Sequence, residues 1–215
     1  ELMANGAVII DVGGESTRPG SARVDEAEEL RRVIPVVREL AAAGAVISVD
    51  TMRARVAAES LDVGAHIIND VSAGQSDPTM LSVAAESGAP IVLMHWRGYL
   101  DQASATFHYD DVVAEVIAEL RTRIDEAIAV GVDPANIIVD PGLGFSKNAE
   151  HNWQLLGALD EFSALDHRLL VAASRKRFIA SLLSPDDPKQ AEQAAKDQAT
   201  ATISAISAQA GAWAV

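Results

Sequence analysis

Several short apolar runs in this sequence finish on, or are followed directly by, a residue that can hydrogen-bond or carry charge. Those residues are Asp11, Asp50, Asn69-Asp70, His95, Asp140 and Ser174. Singly, each has a plain structural explanation. Asp11 and Asp70 are of a type that caps turns and loops. His95 suits a satisfied core histidine, because burial lowers its readiness to charge. The set is harder to explain this way. Asp50, Asn69 and Asp140 stand on three different runs and offer both acceptors and donors. A flat, nitrogen-rich heterocycle would complement them.

A second signal is basic. Ser174-Arg175-Lys176-Arg177 follows an apolar run and opens a helical pattern. Cations beside the free N–H groups of a helix start make an anion site. Charge runs usually face water, but this one stands out against an acidic chain. Arg18, in the Gly-flanked loop Gly13–Gly20, would lie at the same end of the fold. A second long loop, Trp96–His108, follows another run.

The elements that must position these residues follow from periodicity. Ala7–Asp11, Val46–Asp50, His66–Asn69, Ile91–Met94, Ile137–Asp140 and Leu169–Ala172 are β-branched and too short for helices, so they are predicted to be fully buried strands. Amphipathic stretches lie between them: Glu26–Ala43, Arg53–Val63, Thr79–Ser87, Tyr109–Val130 and Asn152–Leu159. Alternation of this kind predicts parallel β/α units. Asp25 is predicted to cap a helix, with Glu28 completing a capping box. Pro78 is placed at a first helical position. Gly44, Gly64, Gly88 and Gly131 each fall where a helix should stop. Ala212–Val215 looks like the start of a seventh strand, and Glu1–Gly6 like the tail of a helix. The expected fold class is α/β, a (β/α)8 TIM barrel incomplete at both ends, with residues 1–215 as a single domain. Barrel sites form at the C-terminal ends of strands, where the polar residues stand. An open doubly wound sheet is the alternative, but no Gly-rich dinucleotide fingerprint follows any strand.

Bulk properties narrow the function classes. The 215 residues are 49% hydrophobic and 22% charged, with a net charge of −14, as in a globular protein whose surface repels phosphate backbones. That argues against general nucleic-acid binding. No cysteine is present, so there is no thiolate metal site, and a reducing compartment fits. No apolar run approaches the roughly 18 residues of a membrane span, and no signal peptide is visible. A cytoplasmic location is expected. The five histidines form no close His-x-His pair, which counts against a metal-dependent hydrolase.

Five motifs in order carry a resemblance: Asp-Val-Gly-Gly-Glu-Ser-Thr-Arg-Pro-Gly at 11–20, Val-Asp-Thr at 49–51, Ile-Asn-Asp at 68–70, Asp-Pro-Gly-Leu-Gly-Phe at 140–145 and Ser-Arg-Lys at 174–176. Together they resemble dihydropteroate synthase, with an actinobacterial look in the Ala-rich helices. The resemblance implies an eight-stranded β/α barrel. It implies a transferase that joins 6-hydroxymethyl-7,8-dihydropterin pyrophosphate to p-aminobenzoate, releasing pyrophosphate, in folate biosynthesis. By position, Asp50, Asn69, Asp140 and Lys176 would hold the pterin, with Met94 and Phe145 packing near it. Thr17 would meet the pyrophosphate, Arg18 and Pro19 would close over the second substrate, and Arg175 and Arg177 would lie near the benzoate carboxylate. Arg18, Asp50, Asp140 and Lys176 are the residues expected to act in catalysis. The family also implies Mg2+, a homodimer and inhibition by sulfonamides.

The sequence departs from the family in places. The first strand is not in the chain, nor with it the Asn that usually binds Mg2+, so no metal ligand is assigned here. The Arg-x-His expected on the last strand is also not present. Ala172 stands where the family often has Gly. Two other readings share the pterin motifs: a methyltetrahydrofolate-type methyltransferase, which would have no use for the Ser-Thr-Arg-Pro loop, and a non-catalytic pterin-binding paralogue.

Overall fold

Six parallel strands alternate with helices along the chain, in a computed structural model that describes residues 2–16, 22–98, 108–174 and 176–215. The strands are β1 (Ile9–Gly13), β2 (Val46–Asp50), β3 (Ile67–Asp70), β4 (Ile91–Met94), β5 (Ile137–Asp140) and β6 (Arg168–Leu169). The helices are α1 (Glu26–Ala42), α2 (Ala54–Asp62), α3 (Met80–Ser87), α4 (Val112–Val130), α5 (Ala149–Gly157), α6 (Arg177–Leu183) and α7 (Gln193–Gln209). The sheet follows chain order, β1 to β6. Parallel neighbours joined in chain order by helical crossovers are the repeated unit of a β/α barrel.

Two compact units make up the chain: Glu1–Leu93 with Arg123–Ile137, and Met94–Thr122 with Ile138–Val215. In the first, Asp11 pairs with Ser48, Gly13 with Asp50, and Asp50 with Asn69. This register brings Gly13, Asp50 and Asn69 into one row at the strand ends. The core under β1 and β2 contains Ile10, Val12, Val33, Val37, Ile47 and Val49. Val33 and Val37 are one helical turn apart on α1, so a single stripe of that helix is buried. In the second unit, Leu143, Leu155, Phe162 and Ile179 are buried. The rings of Trp153 and Phe178 meet edge to face, 4.9 Å apart.

Local signals differ from expectation in three places. Asp25 caps α1, accepting from the Glu28 N–H at 2.7 Å, but Glu28 turns its carboxylate to Arg31 and Arg32 instead of back to the cap. Two nearby cations outcompete one backbone N–H. Pro78 lies before α3, whose N-cap is Thr79. Asp77 accepts from Thr79 and also from the Ala54 N–H at the start of α2, so it serves two turns at once. The strand predicted at Leu169–Ala172 is short: β6 covers Arg168–Leu169, and Leu170 continues as a parallel bridge to Ala214. That bridge falls within the Ala-Trp-Ala-Val run predicted to begin a seventh strand. Gly44, Gly64, Gly88 and Gly131 all have positive φ, as helix stops should.

Candidate active site

The first unit gathers carboxylates at its strand ends. Asn69 donates its amide to both oxygens of Asp11, at 3.3 Å each. Crowding by surrounding protein raises the Asp11 carboxyl above the ordinary range, although hydrogen bonds from Ser48 and Asn69 oppose the rise. Asp50 is pushed further. Burial raises it well above 3.8, and the negative charges of Asp11, Asp70, Glu29 and Glu15 add to the effect. Its Oδ1 is buried and has no hydrogen-bond partner among the described residues. Such an atom costs stability unless a donor reaches it. Asp70 is different. It is wholly buried, and it accepts from the Ser72 N–H and hydroxyl and from the Gly74 N–H. It holds a turn, which is the plain role that its type suggested.

Beside Asp50 lies a charged brace that the sequence did not announce. Thr51 donates its hydroxyl to Glu29 Oε1 at 2.6 Å. Arg53 pairs with Glu29, with Glu15 Oε2 at 2.8 Å and with the Val24 carbonyl at 2.6 Å. Asp50, Thr51, Met52 and Arg53 line one small recess with Glu15 and Glu29. Glu29 is 1% exposed. It stands one helical turn before Val33 and two before Val37, on the buried stripe of α1. A glutamate on an apolar stripe is the one sign by which it could have been found.

The second unit holds Met94, His95, Asp140, Phe145 and Lys176. Met94 is buried at the end of β4. Asp140 accepts from the Gly142 N–H at 2.7 Å, and its carbonyl accepts from the His95 N–H at 2.8 Å. Burial raises its carboxyl, and the positive charges of Lys176 and Lys147 partly offset that. Lys176 donates to the Leu143 carbonyl, and its ammonium lies 5.0 Å from the Phe145 ring centre. Burial lowers Lys176, with Asp140 working against the fall. Arg177 is exposed at the first turn of α6.

Around these residues runs a network with its own order. The buried His95 ring meets Glu119 through Nε2 at 2.9 Å and Lys147 Nζ through Nδ1 at 2.8 Å. Burial pushes His95 down to about 4. A neutral ring accepting from Lys147 must then carry its proton on Nε2 and donate to Glu119. The hydrogen bond from His95 lowers Glu119 to about 2, with Arg97 helping. Arg97 also pairs with Glu115 at 2.7 Å and stacks over Tyr109 at 3.9 Å. Lys147 and Arg97 escaped the sequence reading because lone cations in loops carry no spacing signal. His95 is scaffolding here, as its type suggested. The expectations for Thr17, Arg18, Pro19 and Arg175 lie outside the described residues.

The first unit thus carries carboxylates and an amide at its strand ends, and the second a carboxylate, two lysines and an aromatic ring. The family model "Pterin binding enzyme" matches residues 1–215. The chain belongs to the pterin-binding enzymes. It is 51% identical over 217 residues to dihydropteroate synthase of Mycobacterium leprae (strain TN), covering 100% of this chain and 76% of that protein. It is 45% identical to dihydropteroate synthase of Bacillus subtilis (strain 168), over 89% of this chain and 65% of the relative. Among solved structures, Xanthomonas albilineans dihydropteroate synthase with 4-aminobenzoic acid superimposes with a TM-score of 0.88 at 39% identity. That match covers 99% of this chain and 74% of the solved one. A further structure of that enzyme, in complex with 7,8-dihydropteroate, gives 0.84. The chain thus spans about two thirds to three quarters of the length of these pterin-binding relatives.

Proposed function

We propose that this chain carries the pterin-binding part of a dihydropteroate synthase, which condenses 6-hydroxymethyl-7,8-dihydropterin pyrophosphate with p-aminobenzoate. The reading is carried by one observation beyond kinship: beside Asn69, Asp50 holds a buried oxygen with no partner among the described residues. A pterin has ring N–H and exocyclic amino donors for such an acceptor and acceptors for an amide. Asp140 and Lys176 are proposed as further pterin contacts, with Met94 and Phe145 as its apolar neighbours. Thr17 is proposed for the pyrophosphate, Arg18 and Pro19 for closure over p-aminobenzoate, and Arg175 for its carboxylate.

The chemistry is substitution at the pterin methylene, with pyrophosphate leaving. Positive charge that develops on the pterin is stabilised by fixed carboxylates, a role for Asp50 and Asp140. Lys176 offsets charge on the departing group or steadies the ring. The aromatic amine is neutral at pH 7 and needs no strong base; it needs alignment. Mg2+ is proposed to neutralise the pyrophosphate. The described residues hold no group of three His, Cys, Asp or Glu side chains that could hold a metal ion, and no step here depends on one. Competition by sulfonamides, a homodimer and a cytoplasmic location are proposed on kinship. No described helix is long and apolar enough to cross a membrane.

The test is pyrophosphate release by the full-length protein from the pterin substrate. Release that requires p-aminobenzoate supports the reading. Pterin binding with no release, or methyl transfer from a methyltetrahydrofolate, overturns it.

A further inference from the structure

The turn after β5, residues 141–147, is contorted. Gly142, Gly144 and Ser146 have φ of 69°, 78° and 51°. Three left-handed residues at alternate positions, one of them not glycine, do not hold their shape by themselves. The turn folds its carbonyls inward. Lys147 Nζ donates to the Gly142 carbonyl at 3.1 Å, to the Phe145 carbonyl at 3.1 Å and to His95 Nδ1 at 2.8 Å. In its charged form Lys147 has three protons, and each has an acceptor.

The acceptors are themselves anchored. His95 is held from the other side by Glu119, which Arg97 grips. Arg97 donates its backbone N–H to Ser146 Oγ at 3.3 Å, and Tyr109 donates its hydroxyl to the Ser146 carbonyl at 3.0 Å. The carboxylates of α4 thereby reach the turn through His95, Arg97 and Lys147. The turn presents the proposed pterin contacts: Asp140 fixes the Gly142 N–H, and Phe145 lies under Lys176.

We propose that Lys147 is a positioning residue for pterin binding, its ammonium pinning the turn so that Asp140, Phe145 and Lys176 hold their places. It acts through those residues and does not itself touch the substrate. The inference rests on the functional reading above and deepens it.

The test uses the full-length protein and its Lys147→Met variant, which keeps the length of the side chain and loses the three donors. Calorimetry with 6-hydroxymethyl-7,8-dihydropterin pyrophosphate should show affinity lower by about 10-fold to 100-fold, the scale of losing one hydrogen bond to a charged pterin contact. At saturating pterin, the KM for p-aminobenzoate should stay within about twofold, since specific loss is expected only at the pinned contacts. Pterin affinity within about twofold of the parent overturns the proposal. So does a parallel fall in both substrates together with Tm, which is what a purely structural role would give. If Lys147→Met does not fold, Glu119→Ala decides: it removes the anchor of His95 and should weaken pterin by roughly fivefold, and unchanged affinity overturns the proposal. A parent protein that binds no pterin overturns the functional reading and this inference with it. A parent that binds beside an equally competent variant overturns this inference alone.

Discussion

Gly142→Ala should be among the most damaging single-methyl additions in the second unit. A Cβ at this residue would sit 2.3 Å from the His95 carbonyl oxygen, and φ is +69°. The conformation alone costs an L-residue about 1–2 kcal/mol. Restoring ordinary contact requires a backbone shift of about 1 Å, as carbon and oxygen meet comfortably at roughly 3.3 Å or more. That shift breaks the 2.7 Å bond from the Gly142 N–H to Asp140 Oδ1 and strains the 2.8 Å bond from the His95 N–H to the Asp140 carbonyl. A hydrogen bond to a charged group contributes about 1.5–3 kcal/mol and a neutral one about 1. The expected loss is therefore about 4 kcal/mol. Gly88→Ala is the matched control: φ is +68°, and nothing lies within 4 Å of the added methyl. It should cost only the conformational part, about 1–2 kcal/mol. Urea unfolding of both variants, with pterin calorimetry on each, measures the difference. If Gly142→Ala loses no more than Gly88→Ala, the close packing of this turn against His95 is wrong.

Three further outcomes follow from charged groups. Asp50→Asn should stabilise the protein at pH 8 while abolishing pterin binding. A raised carboxyl makes the folded state bind more protons than the unfolded one, so stability falls as pH rises through the folded value. The gain from Asp50→Asn should therefore shrink towards pH 4, and urea titrations showing an equal gain at both pH values would contradict this. Glu29→Gln should destabilise by about 3 kcal/mol, the low end for breaking a buried pair, because Arg53 keeps Glu15 and the Val24 carbonyl; a loss under 1 kcal/mol in urea unfolding would count against the brace. His95 is held down to about 4 from 6.5, so the unfolded state alone takes up its proton between those values. Stability should fall by up to about 3 kcal/mol as pH drops through that window, and an NMR titration in which the His95 ring protonates near 6.5 would refute it.

Most of the strands were legible because they lie in short apolar runs rich in β-branched residues. Their ends could be read because a polar residue there interrupts an apolar pattern. That is how Asp50, Asn69 and Asp140 came into view. Lys176 came from a cation cluster on an acidic chain. Glu29, Arg53, Arg97 and Lys147 did not, for a physical reason. Each takes its meaning from a partner far along the chain: Arg53 from Glu29, Arg97 from Glu119, Lys147 from His95. Pattern within a short window reports which face is buried, not which distant charge waits there. β6 was overestimated for a related reason. Leu169 and Val171 are buried, but ladder pairing ends at Leu169 and passes to a bridge with Ala214, and burial alone does not distinguish a strand from a covered loop.

The two units share one electrostatic condition, and it bears on function. In the first, Asp11 and Asp50 are raised by burial, with Asp11 adding repulsion at Asp50. In the second, Lys147 is lowered to about 7 and Lys176 is lowered as well, both by burial. Carboxylates raised and ammoniums lowered mean that each group is held at an energetic cost in its charged form. A core under selection for stability alone would place apolar side chains there. Asp70 is the internal contrast: burial raises its carboxyl too, but three hydrogen bonds from its own turn work against the rise and leave it satisfied. The buried Oδ1 of Asp50 has no such supply among the described residues. Residues whose needs are met inside the fold are scaffold. The acceptor left open at Asp50 identifies the atom at which a donor-bearing ligand gains most, and makes Asp50→Asn the variant in which stability and binding should move in opposite directions.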